Sequence, residues 1–127
     1  MTSATTHRWL GYIEEHELTD TDRRAEGRAA RLANTPAAVL STPDEVAQWI
    51  TAEMAHQNKR ADEDARQVNG LMGDRSSVNR SVAVKGSSVY ATVRISSTIT
   101  VDLCAEIQAS DGCSSPARAR LQAEQQR

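Results

Sequence analysis

From Ser81 to Cys104 the chain reads SVAVKGSSVYATVRISSTITVDLC, and nowhere else do apolar residues hold every second position for so long. Val82 and Val84 alternate with Ala83 and Lys85. Val89, Ala91, Val93 and Ile95 alternate with Tyr90, Thr92, Arg94 and Ser96, and Ile99, Val101 and Leu103 with Thr100, Asp102 and Cys104. Successive side chains of a strand point to opposite faces, so each run has one apolar and one polar edge. β-Branched and aromatic residues also suit a pleated, half-buried surface.

The spacing predicts a three-stranded antiparallel meander with 89–95 in the centre. A hairpin loop over 85–88 sets Val84 opposite Val89 and Val82 opposite Ala91. A shorter loop over 96–98 sets Ile95 opposite Ile99, Val93 opposite Val101 and Ala91 opposite Leu103. Both loop lengths are common in hairpins. This register puts every apolar residue of the three runs on one face, and a slip of one residue would undo that. The other face then carries Tyr90, Thr92, Arg94, Thr100 and Asp102, with Thr92 opposite Asp102 and Arg94 diagonal to it.

A three-stranded sheet with one apolar face needs a cover. The strongest helix start in the chain is Thr42-Pro43-Asp44-Glu45. Thr42 caps, Pro43 suits the first helical position, and Glu45 three residues on completes a capping box. Val46, Trp49, Ile50 and Met54 follow at helical spacing and supply the covering face. The pattern continues through a polar half to Asn69-Gly70, a good C-terminal cap, and predicts a single helix over 42–69 whose second half runs past the core into solvent or a partner.

Before this helix, residues 7–18 read as a short helix with Trp9, Leu10 and Ile13 on one face, and residues 22–33 as a second, weakly apolar one ended by Asn34-Thr35-Pro36. Residues 34–41 read as a linker and 73–79 as a loop. Ala105–Ala109 reads as a helical turn or a strand continuation. Residues 1–6 form a frayed start and 110–127 a flexible polar tail, leaving 7–109 as a single domain. The expected fold class is α+β: two short N-terminal helices and one longer helix, then the meander.

Leu, Ile, Val and Phe number only 21 of 127 residues, a thin core for this length. Extra burial by self-association is a natural expectation. The formal net charge of −2 creates no bulk field toward nucleic acid or anionic membrane. No apolar run reaches the roughly 18 residues a membrane span needs, and the N-terminal apolar run is too short for a secretory signal. The cytoplasm is the expected compartment. Thirteen arginines against two lysines, with abundant alanine, point to a GC-rich genome such as that of an actinobacterium, its phage or its plasmid.

The chemistry-bearing residues do not assemble into a motif. His7, His16 and His56 form no spaced pair with each other, and Cys104 and Cys113 lack the short spacing of a zinc site. There is no G-x-S-x-G nucleophile elbow. Lys85-Gly86-Ser87 resembles the end of a phosphate loop, but it lacks the earlier glycine and leads into no helix. The reading is therefore a non-catalytic protein without cofactor or metal.

Two binding surfaces remain. Tyr90 and Arg94 on the polar face of the sheet are candidate partner contacts, being residue types enriched at interface hot spots. Arg24, Arg28 and Arg31 fall on one helical stripe, which is either a phosphate-contacting face or ordinary solvated surface. The expected function is a small interaction or accessory module that binds a protein partner or itself. The alternative is a nucleic-acid-binding regulator with winged-helix-like element order, using Arg24, Arg28, Arg31 and, at a wing tip, Lys85. Against it, residues 41–73 carry three basic and six acidic residues, so the recognition helix would be net negative.

Overall fold

The computed structural model describes residues 7–17 and 21–109, with side chains described from Gly27 through Gln108 in the second stretch. The elements run β1 (His7–Glu17), α1 (Thr21–Leu32), β2 (Ala38–Leu40), α2 (Pro43–Arg60), α3 (Glu63–Gly70), α4 (Ser76–Val84), β3 (Val89–Arg94) and β4 (Ile99–Ala109). The fold class is α+β. Among the described residues four strands form one antiparallel sheet in the order β2-β1-β4-β3.

The β3–β4 hairpin has the register expected from the sequence. Val93 faces Val101, Ala91 faces Leu103 and Thr92 faces Asp102, and the ladder continues to Tyr90 opposite Cys104 and Val89 opposite Ala105. Among the described residues β3 is nevertheless an edge strand, because the segment expected on its other side does not pair with it. Residues 82–84 end helix α4 instead of pairing with β3. Their alternating valines were misleading. The buried positions of α4 are Asn79 and Ala83, one helical turn apart, and Val84 lies exposed. The hairpin around 85–88 does not form, and with it goes the winged-helix element order.

The place beside β4 is taken by β1, expected as a helix. β1 and β4 pair over eleven positions, from His7 opposite Ala109 to Glu17 opposite Ile99. Trp9, Leu10, Gly11 and Tyr12 are buried in succession because the strand is covered on both faces. Two-sided burial erases the alternation that identifies a strand, and a short apolar run then reads equally well as a helix face. β2, expected as linker, pairs with β1 from Trp9 opposite Leu40 to Gly11 opposite Ala38.

The covering helix is where the sequence placed it. Thr42 accepts from the Glu45 amide at 3.1 Å, Pro43 opens α2, and Glu45 reaches back to the Ser41 amide at 2.7 Å. Val46 and Ile50 are fully buried against Val93, Val101 and Leu103. Trp49 lies across β1 at Gly11, where a β-carbon would come within 2.9 Å of the indole ring. α4 packs on α2 and completes this layer.

The single helix expected over 42–69 is two. Ala61 is extended (φ −72°, ψ 146°), and Asp62 starts α3 by accepting from the Ala65 amide at 2.9 Å. The Asp62 amide donates to the Ile95 carbonyl at 2.9 Å, which anchors the break to the end of β3. The polar half thus turns back onto the sheet rather than running into solvent. α1 is interrupted too: Gly27 has φ 63° and ψ −144°, so the regular spacing that aligned Arg24 with Arg28 and Arg31 does not carry through it. The expected termini, 1–6 and 110–127, lie outside the described residues.

Gly11→Ala should destabilise the fold by about 1–3 kcal/mol, as overpacking against a held ring does. The check is urea denaturation, expected to show a lower midpoint with unchanged slope, and Trp49→Leu in the same chain should recover part of the loss.

Candidate partner-binding surface

The second face of the sheet is built from the even-numbered positions of its three long strands. β1 contributes Leu10, Tyr12, Glu14 and His16, β4 contributes Thr100, Asp102, Cys104 and Glu106, and β3 contributes Tyr90, Thr92 and Arg94. α1 lies over part of it, with Leu32 packed on Leu10, Tyr12 and Cys104.

Glu106 is the least accessible charge among the described residues, with a side chain 0 % exposed. A buried carboxylate is tolerable only when paired and hydrogen-bonded. Arg31 Nη1 donates to Glu106 Oε2 at 2.5 Å, the Tyr90 hydroxyl donates to Oε1 at 2.8 Å, and Arg28 Nε lies 3.3 Å from Oε1. Arg31 also grips Glu14 through Nε and Nη2 at 2.9 and 3.0 Å. One guanidinium, itself largely buried, thereby ties α1 to both central strands. The planar fork of arginine suits this two-carboxylate geometry. Its pKa is raised, chiefly by the Glu14 hydrogen bonds, with burial acting in the opposite direction.

The residues proposed from sequence are placed as follows. Arg31 is committed to Glu14 and Glu106. Arg28, about half-exposed, adds a 2.5 Å bond from Nη2 to the Ile107 carbonyl. Arg24 belongs to α1, but its side chain lies outside the described residues. Lys85 is exposed in the turn after α4, remote in sequence from that cluster. Tyr90 is 55 % exposed although its hydroxyl is held by Glu106, and burial followed by that hydrogen bond raises its pKa. Arg94 turns its Nε to the Ser96 carbonyl at 2.9 Å, while Asn69 of α3 takes both its backbone groups, N–H to Oδ1 and C=O from Nδ2, each at 2.9 Å. A depression of about 180 Å³ opens beside these groups, bordered by Arg31, Tyr90, Thr92, Asp102 and Cys104.

His16 Nε2 donates to Asp102 Oδ2 at 2.9 Å, and Thr92 donates to Asp102 Oδ1 at 2.9 Å. Sequence reasoning missed this chain because it read His16 as part of a helix. The period-2 placement of Tyr12, Glu14 and His16 was the available signal. The imidazole side chain is 6 % exposed, and among the described residues nothing bonds its Nδ1. Cys104 sits on the same face with its thiol pushed up from 9.0 to about 12 by burial, which holds it protonated and unreactive. Among the described residues no cluster of His, Cys, Asp and Glu is arranged to hold a metal, and no helix is long and apolar enough to cross a membrane. Glu14, Glu106, His16 and Asp102 are thus paired within the fold, and the exposed part of the face includes Tyr90 and the outer edge of β3.

No protein-family model matches the chain, and neither does any curated protein or solved structure.

Arg31→Met should cost up to about 3–5 kcal/mol, because it leaves buried Glu106 with only the Tyr90 hydroxyl and half-exposed Arg28 as partners. Glu106→Gln should cost less, since Arg31 keeps Glu14, and the double variant should be more stable than Arg31→Met alone in a denaturation cycle. The raised thiol gives a pH effect of definite sign. Above about pH 9 the unfolded chain releases the Cys104 proton while the folded chain keeps it until about pH 12, so stability falls as pH rises through that window. Cys104→Ala should flatten the fall, read by urea midpoints at successive pH values.

Proposed function

We propose that this chain is a small non-catalytic interaction module whose contact surface is the outer edge of β3 together with Tyr90 and the neighbouring polar face. The observation that carries this reading is the state of Tyr90. The residue is more than half exposed on an edge strand, yet its hydroxyl is fixed by a fully buried carboxylate. An aromatic ring held in one orientation loses little entropy when a partner covers it, which is how tyrosine serves at hot spots. Arg94 borders the same edge, with its guanidinium turned back on the β3–β4 loop.

The nucleic-acid alternative draws less support. Arg28 and Arg31 face protein carboxylates, and neutralising phosphates would mean taking them from Glu14 and Glu106. An accessory role in a phage or plasmid system remains compatible with the proposed surface, and gene neighbourhood is the observation that bears on it.

Affinity capture with the immobilised chain tests the proposal. A partner retained by wild type should be lost from Tyr90→Ala, with affinity reduced by roughly thirtyfold or more as for a hot-spot residue. Tyr90→Phe, which keeps the ring but loses the hydroxyl that Glu106 holds, should retain it more weakly than wild type and more tightly than Tyr90→Ala. The same proteins recovered with wild type and Tyr90→Ala would remove the reading.

A further inference from the structure

The backbone of β3 alternates in a way the hydrogen bonds fix. The Ile95 amide donates to Ile99 across the ladder, while both backbone groups of Arg94 go to Asn69, away from β4. In an antiparallel pair the inward and outward residues alternate. Val89, Ala91 and Val93 therefore turn their N–H and C=O toward β4, and Tyr90, Thr92 and Arg94 turn theirs outward. Asn69 closes the edge at Arg94. At Tyr90 and Thr92 two donors and two acceptors remain without a partner among the described residues. The segment has no proline, no lysine and no bulge of the kind that blocks an edge.

We infer that this edge pairs with a second copy of the same chain, β3 against β3, antiparallel about a two-fold axis at Ala91. The inference rests on the interaction reading above and names the partner. The open groups are self-complementary in this register: Tyr90 of each copy faces Thr92 of the other as a hydrogen-bonded pair. Four bonds result, and every open donor meets an open acceptor. Such a contact is isologous, as a two-fold dimer requires. On the polar face the Tyr90 ring meets a β-branched threonine, a favourable cross-strand pairing. On the other face Ala91 meets Ala91, small enough for the close approach of a pair without hydrogen bonds.

Asn69 sets the limit of the overlap. Arg94 would fall opposite Ser88 of the other copy, which lies before the start of β3, so the blocked position is one the pairing does not need. The product is a continuous eight-stranded sheet with a β3–β3 junction at its middle. The outer edge of β1 beyond β2 fits a second copy less well. A two-fold pairing there would bring Glu15 onto Glu15 or set Glu17 near another acidic edge, and Arg60 already takes Glu15 at 2.6 Å. β2 has only three residues to offer.

Thr92→Pro is the discriminating variant. It deletes an N–H that faces outward and leaves the β4 ladder intact. Thr92→Val removes the hydroxyl bond to Asp102 but keeps the N–H, and controls for that loss. Sedimentation velocity of the full chain should show a concentration-dependent monomer–dimer equilibrium. Thr92→Pro should weaken it by roughly twenty-five-fold, two symmetric bonds being lost at about a factor of five each, and Thr92→Val should leave dimerisation in place. Amide exchange in the wild type supplies a readout independent of folding of the variants: Tyr90 and Thr92 should exchange more slowly as concentration rises, and Ile13 and Glu15 should not. A wild type that stays monomeric at its highest attainable concentration overturns the inference, as does a dimer unaffected by Thr92→Pro with unchanged exchange at Tyr90 and Thr92. If such a monomer captures a different protein through Tyr90, self-pairing fails while the interaction module stands.

Discussion

The fold depends on the eleven-position ladder between β1 and β4, which joins the first described strand to the last. Among the described residues neither strand has another long partner. β2 covers only three positions of β1, and β3 six of β4. Every layer is laid on this ladder: α2 and α4 on one face, α1 on the other, and α3 at the β3 end. Its contacts are the most distant in sequence, so it closes a large loop before returning any stabilisation, which is the topology expected to fold slowly.

The two faces use different physics. Under α2, Val46, Ile50, Val93, Val101 and Leu103 form a dry apolar layer whose stabilisation follows from area removed from water. Under α1, the layer is largely ionic and hydrogen-bonded, with Glu106 at its centre and Arg31 as the common partner. Buried ion pairs are poor sources of net stability, because desolvation offsets their attraction. Their effect here is positional. Glu14 and Glu106 lie on two strands, and a single guanidinium on α1 reaches both. A chain poor in large aliphatic residues can still specify where its first helix sits.

That network also shapes the surface left open. Glu106 holds the Tyr90 hydroxyl, and Asn69 shuts one end of the β3 edge, so the exposed strip is short. The same α2–α3 break that brings Asn69 to the edge ties Asp62 to Ile95, and both ends of that connection stabilise the hairpin against which a partner would lie.

Local sequence determined the elements that carry their own signals. Thr42-Pro43-Asp44-Glu45 caps α2 through neighbours within three residues, and the alternation from Val89 to Leu103 sets the β3–β4 register because a slip would expose its valines. The surface residue Tyr90 was legible for the same reason, since its place on the polar side follows from that register. Tertiary structure decided the rest. Trp9 to Tyr12 is a strand because layers on both sides bury it, and nothing inside the segment encodes that. Val82 and Val84 alternate like a strand but end a helix, because Asn79 and Ala83 find α2 to pack on. Arg31 of the arginine stripe became an internal clamp because the ladder brings Glu14 and Glu106, 92 positions apart, onto one face within reach of a single guanidinium. Caps and turns are settled by short-range hydrogen bonds, whereas two-sided burial and charge pairing depend on which distant segment arrives.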